Sequence, residues 1–221
     1  MCFSAEVSFG ASAVISTVGV VAVKKSARKE QLFFALIPLM FGVQQFFEGW
    51  LWVALQNEGY RTTEMLAKYG FLIFAQLIWP VWVPLSVYKI EKNRKRKRMI
   101  GGSLILGIAM FALLAYRMAA YDVSAHIDHH HIYYTVGHFN STNWWSGALY
   151  LLPAVFPFLF SSHRRINILG TIMLLFFVIS KVFYLKYMIS VWCFFAAVMS
   201  IYILYILKKQ EPEVKQTIPI S

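Results

Sequence analysis

The chain has 221 residues, of which 59% are apolar, 17% aromatic and only 14% charged, and its mean hydropathy is +0.58. A soluble domain is about 45–50% apolar and about 25% charged, so ordinary soluble domains, disordered chains and coiled coils are excluded, and two cysteines build no disulfide scaffold. A net charge of +11 would point to nucleic acid in a soluble protein; here the basic residues are placed as membrane topology signals, and no nucleic-acid partner is expected.

A membrane-spanning helix needs about 20 apolar residues. Seven stretches qualify: Ser8–Val23, Gln31–Leu55, Tyr69–Tyr88, Met99–Met118, Trp144–Phe160, Ile166–Leu185 and Ile189–Leu207. The expected fold is therefore all-α, a polytopic membrane protein with seven transmembrane helices. It forms one domain over residues 1–209, with a long outer loop at 119–143 and a cytoplasmic tail at 210–221. The first stretch has no basic leader and is followed by Lys24 and Lys25, so it reads as a retained span rather than a signal peptide. Pro80 and Pro84, like Pro153 and Pro157, are four residues apart. Each proline frees the carbonyl four residues earlier, so two kinked helices are expected to flank a cavity.

Charge asymmetry sets the orientation. Basic runs occupy alternate connections: Lys24, Lys25, Arg28 and Lys29; Lys89 to Arg98; Arg164 and Arg165; then Lys208, Lys209 and Lys215. The opposite connections hold only Arg61, Lys68, Arg117 and Lys186. The N-terminus is thus expected outside and the C-terminus in the cytoplasm. Lys89–Arg98 reads as a retention loop that touches anionic lipid headgroups.

Four blocks are distinctive: Met-Cys-Phe-Ser-Ala (Met1–Ala5), Phe-Gly-Val-Gln-Gln with Glu-Gly (Phe41–Gln45, Glu48–Gly49), Trp-Pro-Val-Trp-Val-Pro (Trp79–Pro84) and Ser-Val-Trp-Cys-Phe-Phe-Ala-Ala (Ser190–Ala197). Together they resemble a bacterial multi-span membrane-protein family that opens with Met-Cys-Phe-Ser-Ala and has no assigned activity. The resemblance runs from the first residue to the last span. It implies a multi-pass protein of the bacterial inner (plasma) membrane and leaves the chemistry to the residues.

An ionisable group within a span is costly unless paired and normally marks a site. Glu48 lies seven residues before Leu55, about 10 Å deep at about 1.5 Å per residue. Gln44 shares its helix face at a spacing of four, and Gln45 nearly so at three. Cys193 is expected at a similar depth, and Cys2 just outside the first span. The loop Ala119–Asn143 holds His126, His129, His130, His131 and His138, with β-branched and aromatic residues that predict a strand or hairpin. On a strand, His129 and His131 would share a face. Thiolate, imidazole and carboxylate suit Zn²⁺ or Cu²⁺, so Cys2, Glu48, His129, His131 and Cys193 are candidate metal ligands. A Cys2–Cys193 disulfide is an alternative use of the two thiols.

Tryptophans near a carboxylate can box a cationic group. Gln44, Gln45, Glu48, Trp79 and Trp192 are the candidate ligand pocket. No P-loop, nucleophile elbow, dinucleotide fingerprint or zincin helix is present. The leading expectation is a membrane protein with an outward-facing polar, metal-binding pocket that acts in ligand binding or sensing. Alternatives are a small-solute transporter and a metal-dependent membrane-embedded enzyme with Glu48 as general base and catalytic residue. A homo-oligomer is compatible with each.

Overall fold

The computed structural model describes residues 4–26, 28–57, 59–136 and 144–215. The main helices are α1 (Ala5–Lys24), α2 (Lys29–Gln56), α3 (Arg61–Ile90), α4 (Arg94–Ala120), α5 (Trp144–Phe160), α6 (Arg164–Phe183) and α7 (Met188–Lys215). Among the described residues, six helical stretches are long and apolar enough to cross a membrane, and α5 is a 17-residue helix. The last helix runs beyond the expected end of its span, to Lys215.

Polar groups start the helices where the sequence supplies them. Ser4 caps α1 by accepting from the Val7 N–H, and the Asn93 side chain accepts from the N–H groups of Lys95 and Arg96 to start α4. Each helix packs against its sequence neighbour, and α1 also packs on α7, so the bundle closes between its first and last helices. α2 contacts α7 as well, which brings the carboxylate helix to the cysteine helix.

Small residues set the closest approaches. A Cβ on Gly42 would collide with Ser16 of α1, whose Ser12 hydroxyl donates to the Gly42 carbonyl at 2.8 Å.

α3 is not the simply kinked helix that its prolines predict. Residues Ile73–Ile78 form a π-helical segment between two α-helical halves. In π register the N–H of residue 80 would bond the carbonyl of residue 75, and proline has no N–H. The Tyr150 hydroxyl of α5 fills the vacancy, donating to the Ala75 carbonyl at 2.7 Å. Pro84 in turn frees the carbonyl of Pro80, and Gly107 of α4 sits against that oxygen, where any Cβ would clash. The prolines therefore create acceptors that two neighbouring helices meet.

Residues 123–136 form an antiparallel hairpin, β1 (Val123–Asp128) and β2 (His131–Val136), with Val123 opposite Val136 and Asp128 opposite His131. This strand pair modifies the all-α expectation. His129 and His130 make the two-residue turn, and His129 adopts φ 55°, a left-handed conformation that histidine tolerates better than most residues.

At the other end of the bundle, Glu91 is buried and ties two connections together. Its carboxylate accepts from the Asn93 N–H at 2.8 Å, the Ser162 N–H at 2.6 Å and the Ser162 hydroxyl at 2.7 Å. Burial pushes the carboxyl up, but these hydrogen bonds outweigh it and hold Glu91 below the usual carboxylate range. Beside it the Arg96 guanidinium donates to the Ser161 carbonyl at 2.7 Å. In the same basic run Lys92, Arg94, Lys95 and Arg98 are exposed.

Candidate functional site

Gln44, Gln45 and Glu48 are completely buried on α2. The Gln45 amide donates to Glu48 Oε2 at 3.1 Å, and the Ser190 hydroxyl of α7 donates to Oε1 at 2.6 Å. Gln44 Oε1 accepts from the Trp79 indole of α3 at 2.7 Å, while the Gln44 side chain neighbours the Cys193 thiol. Trp79 lies flat on Phe41, with centroids 3.9 Å apart. Three helices thus deliver acid, amide, hydroxyl, thiol and indole groups to one level. Carboxylate and amide at three- and four-residue spacing were legible on α2. Ser190 was not, although it stands three residues before Cys193 and so on the same helix face.

Trp192, the fifth member of the predicted pocket, lines a cavity of about 20 Å³ with Trp79 and Cys193. The remaining walls are largely apolar, contributed by α2, α3, α5, α6 and α7. Trp192 meets Tyr150 and Phe177 edge-on, at 5.7 and 5.5 Å. Cys193 is a free, buried thiol, so it makes no disulfide here, and Cys2 lies outside the described residues.

The hairpin covers this polar level. Ile132 and Tyr134 are buried in one cluster with Leu51 and Trp52 of α2, Phe71 and Leu72 of α3, and Cys193. Tyr134 stacks on Phe71 at 5.0 Å. The turn is latched to the α6–α7 connection: the Lys186 ammonium pairs with the Asp128 carboxylate, and His129 Nδ1 lies 2.8 Å from the same carboxylate. Hydrogen bonds from Lys186, His129 and Tyr187 hold the Asp128 carboxyl far below its usual range. The His131 ring stacks on Tyr187 at 4.6 Å and meets Tyr184 edge-on at 5.6 Å. Burial pushes the His131 imidazole below its ordinary value.

The predicted histidine pair is divided by the turn. His129 sits at the tip, its side chain 84% exposed, whereas His131 is packed among tyrosines. His138 lies outside the described residues. Among the described residues no group of three or more His, Cys, Asp or Glu side chains converges as metal ligands do. Glu48 and Cys193 are neighbours; neither histidine joins them in such a group. Lys181, in the last turn of α6, is buried.

No curated protein and no solved structure matches the chain. Residues 1–217 match the family model described as a family of unknown function (DUF6629), which covers the same span as the resemblance read from the four sequence blocks, and the chain belongs to that family.

Proposed function

We propose that this chain is a seven-span protein of the bacterial inner membrane, with its N-terminus outside, and that the Glu48 cluster is an outward-facing pocket for a small ligand, used in binding or sensing. The observation that carries the reading is the convergence of Glu48, Gln44, Gln45, Ser190 and Cys193 beneath a strand hairpin. A buried acid with this many polar neighbours exceeds what one packing contact requires, since each polar group placed within a bundle is costly unless it is paired. The orientation rests on the basic runs, which sit at the end of the bundle opposite the hairpin. The exposed Lys92, Arg94, Lys95 and Arg98 supply charge for anionic headgroups there.

The test is binding by the purified full-length protein in lipid nanodiscs, with Glu48→Gln alongside. Zn²⁺ and Cu²⁺ are included because Glu48 and Cys193 are adjacent. Stoichiometric metal lost in both Glu48→Gln and Cys193→Ala supports a metallated pocket. A solute or metal that binds the native protein and Glu48→Gln equally removes the reading.

A second reading, a small-solute transporter, is favoured by the broken α3, whose Trp79 and Val83, just after the π segment, line the same cavity. Solute uptake into proteoliposomes that stops on Glu48→Gln separates transport from binding alone.

A further inference from the structure

Gln44, Gln45, Glu48 and Ser190 are completely buried, so a ligand reaches them only where a wall of the site opens. Long helices form most of those walls: α2, α3 and α7 supply the cluster itself, and α1 packs on both α2 and α7. The hairpin is a different kind of wall. Its two strands have six residues each and, among the described residues, pair only with each other; such a hairpin is marginally stable by itself. It keeps its place through one buried face, on which Val123, Ala125, Ile132 and Tyr134 share an apolar cluster with Trp52 and Cys193. On the opposite face Ser124 and His126 are exposed.

The two ends of the hairpin are held differently. At the base, α4 runs into β1 through Tyr121 and Asp122, and the Arg117 guanidinium donates to the Val136 carbonyl at 3.5 Å. Chain continuity makes this the fixed end. The tip lies roughly 17 Å along β1, at about 3.4 Å per residue, and is held by groups from a distant part of the sequence. The Asp128 carboxylate accepts from Lys186 and Tyr187, both on the α6–α7 connection, and from its neighbour His129. Lys186 also lies 5.3 Å from the Tyr133 ring centroid, a cation–π contact with β2. That connection leads straight into α7, whose first two turns carry Ser190 and Cys193.

We infer that the β1–β2 hairpin is a gate over the Glu48 cluster, hinged at Tyr121–Asp122 and latched where Asp128 meets Lys186 and Tyr187. The inference rests on the pocket reading above and supplies its regulation: a ligand enters when the tip lifts, and the latch sets how often it does. Asp128 is the shared acceptor, so its removal breaks both links to the α6–α7 connection at once. Removal of Lys186 leaves Tyr187 in place. The Lys186 side chain is also 55% exposed, so water screens its share of the latch.

Cys193, beneath the hairpin, is the reporter. In the full-length Cys2→Ser protein in nanodiscs it is the one thiol, and trimethylammonioethyl methanethiosulfonate, which does not cross lipid, reaches it from water. Labelling that waits for an opening follows the open population. At one pH, Asp128→Ala should label about tenfold faster than its parent and Lys186→Met about threefold. The two changes together should fall well short of the product of about thirtyfold, because they act on one latch. Hydrogen exchange of the same proteins should show protection lost by a similar factor in β1 and β2, while the amides around Glu48 and Ser190 keep theirs. Unchanged labelling in both latch variants overturns the gate. Equal loss of protection in α2 and α7 also overturns it, because the whole bundle has then loosened. In the native protein the β1 and β2 amides should exchange faster than those of α2 and α7; the reverse order overturns the gate even if neither variant folds. Unchanged labelling beside Glu48-dependent ligand binding removes the gate alone, whereas faster labelling without such binding removes the pocket reading and with it the hairpin's role in entry.

Discussion

The Ser190 hydroxyl donates to Glu48 Oε1 at 2.6 Å, joining α7 to α2 across 142 residues of sequence. This bond and the one from Gln45 fix the carboxylate at the level where the two helices meet. Ser190→Ala should lower unfolding stability by about 1–2 kcal/mol, and Glu48→Leu by more, because it strands the Gln45 and Ser190 donors. Glu48→Gln, which keeps an acceptor, should cost less than Glu48→Leu. Denaturant unfolding in mixed micelles measures all three; equal stability of Glu48→Leu and the native protein would refute the account.

The partnership of Tyr150 with Ala75 compensates for a proline. Tyr150→Phe should cost about 1 kcal/mol in the native background. In a Pro80→Ala background residue 80 regains an N–H that can serve the same carbonyl, so the same change should cost less. The coupling is read from a double-mutant cycle. Strict additivity would mean that the π segment and the tyrosine are unrelated.

At the opposite end, Glu91 accepts from backbone and hydroxyl groups of Ser162 and from the Asn93 N–H. Bonds to a charged acceptor contribute about 1.5–3 kcal/mol each at best, and they act together here, so Glu91→Ala should lose about 2–4 kcal/mol. Because the carboxyl is held below its usual range, this contribution is complete above about pH 4.3 and is lost as pH falls through the lowered value. Acid unfolding should therefore move to higher pH in Glu91→Gln.

His131 gives the hairpin its own pH dependence. The groups facing it are Asp128, His129 and His130 on the hairpin, and Tyr184, Tyr187 and Lys186 on the α6–α7 connection. Burial lowers the imidazole, so the seated hairpin binds its proton more weakly than the displaced one. Its contribution is complete above about pH 6.5 and fades as pH falls from there through the lowered value. Hydrogen exchange of the β2 amides, corrected for intrinsic rates, should show less protection at pH 5 than at pH 8. His131→Phe should flatten that difference; Asp128, already far below its range, should contribute nothing to it.

The sequence by itself determined the long apolar helices, the basic end of the bundle and the α2 part of the cluster. Those features follow from local rules: apolar length, alternating charge, and a helix face shared at spacings of three and four. Only the tertiary structure decided that Ser190 completes the Glu48 site, that Tyr150 answers the proline break, and that His129 and His131 part company. Ser190 and Glu48 are 142 residues apart, and their meeting depends on α2 packing against α7, which no local pattern records. The histidines are adjacent but one, yet a two-residue turn sends one ring to the surface and leaves the other packed on Tyr187. Sequence spacing fixes faces within one element; the partner across a bundle is chosen by packing, where every buried polar atom must find its complement at once.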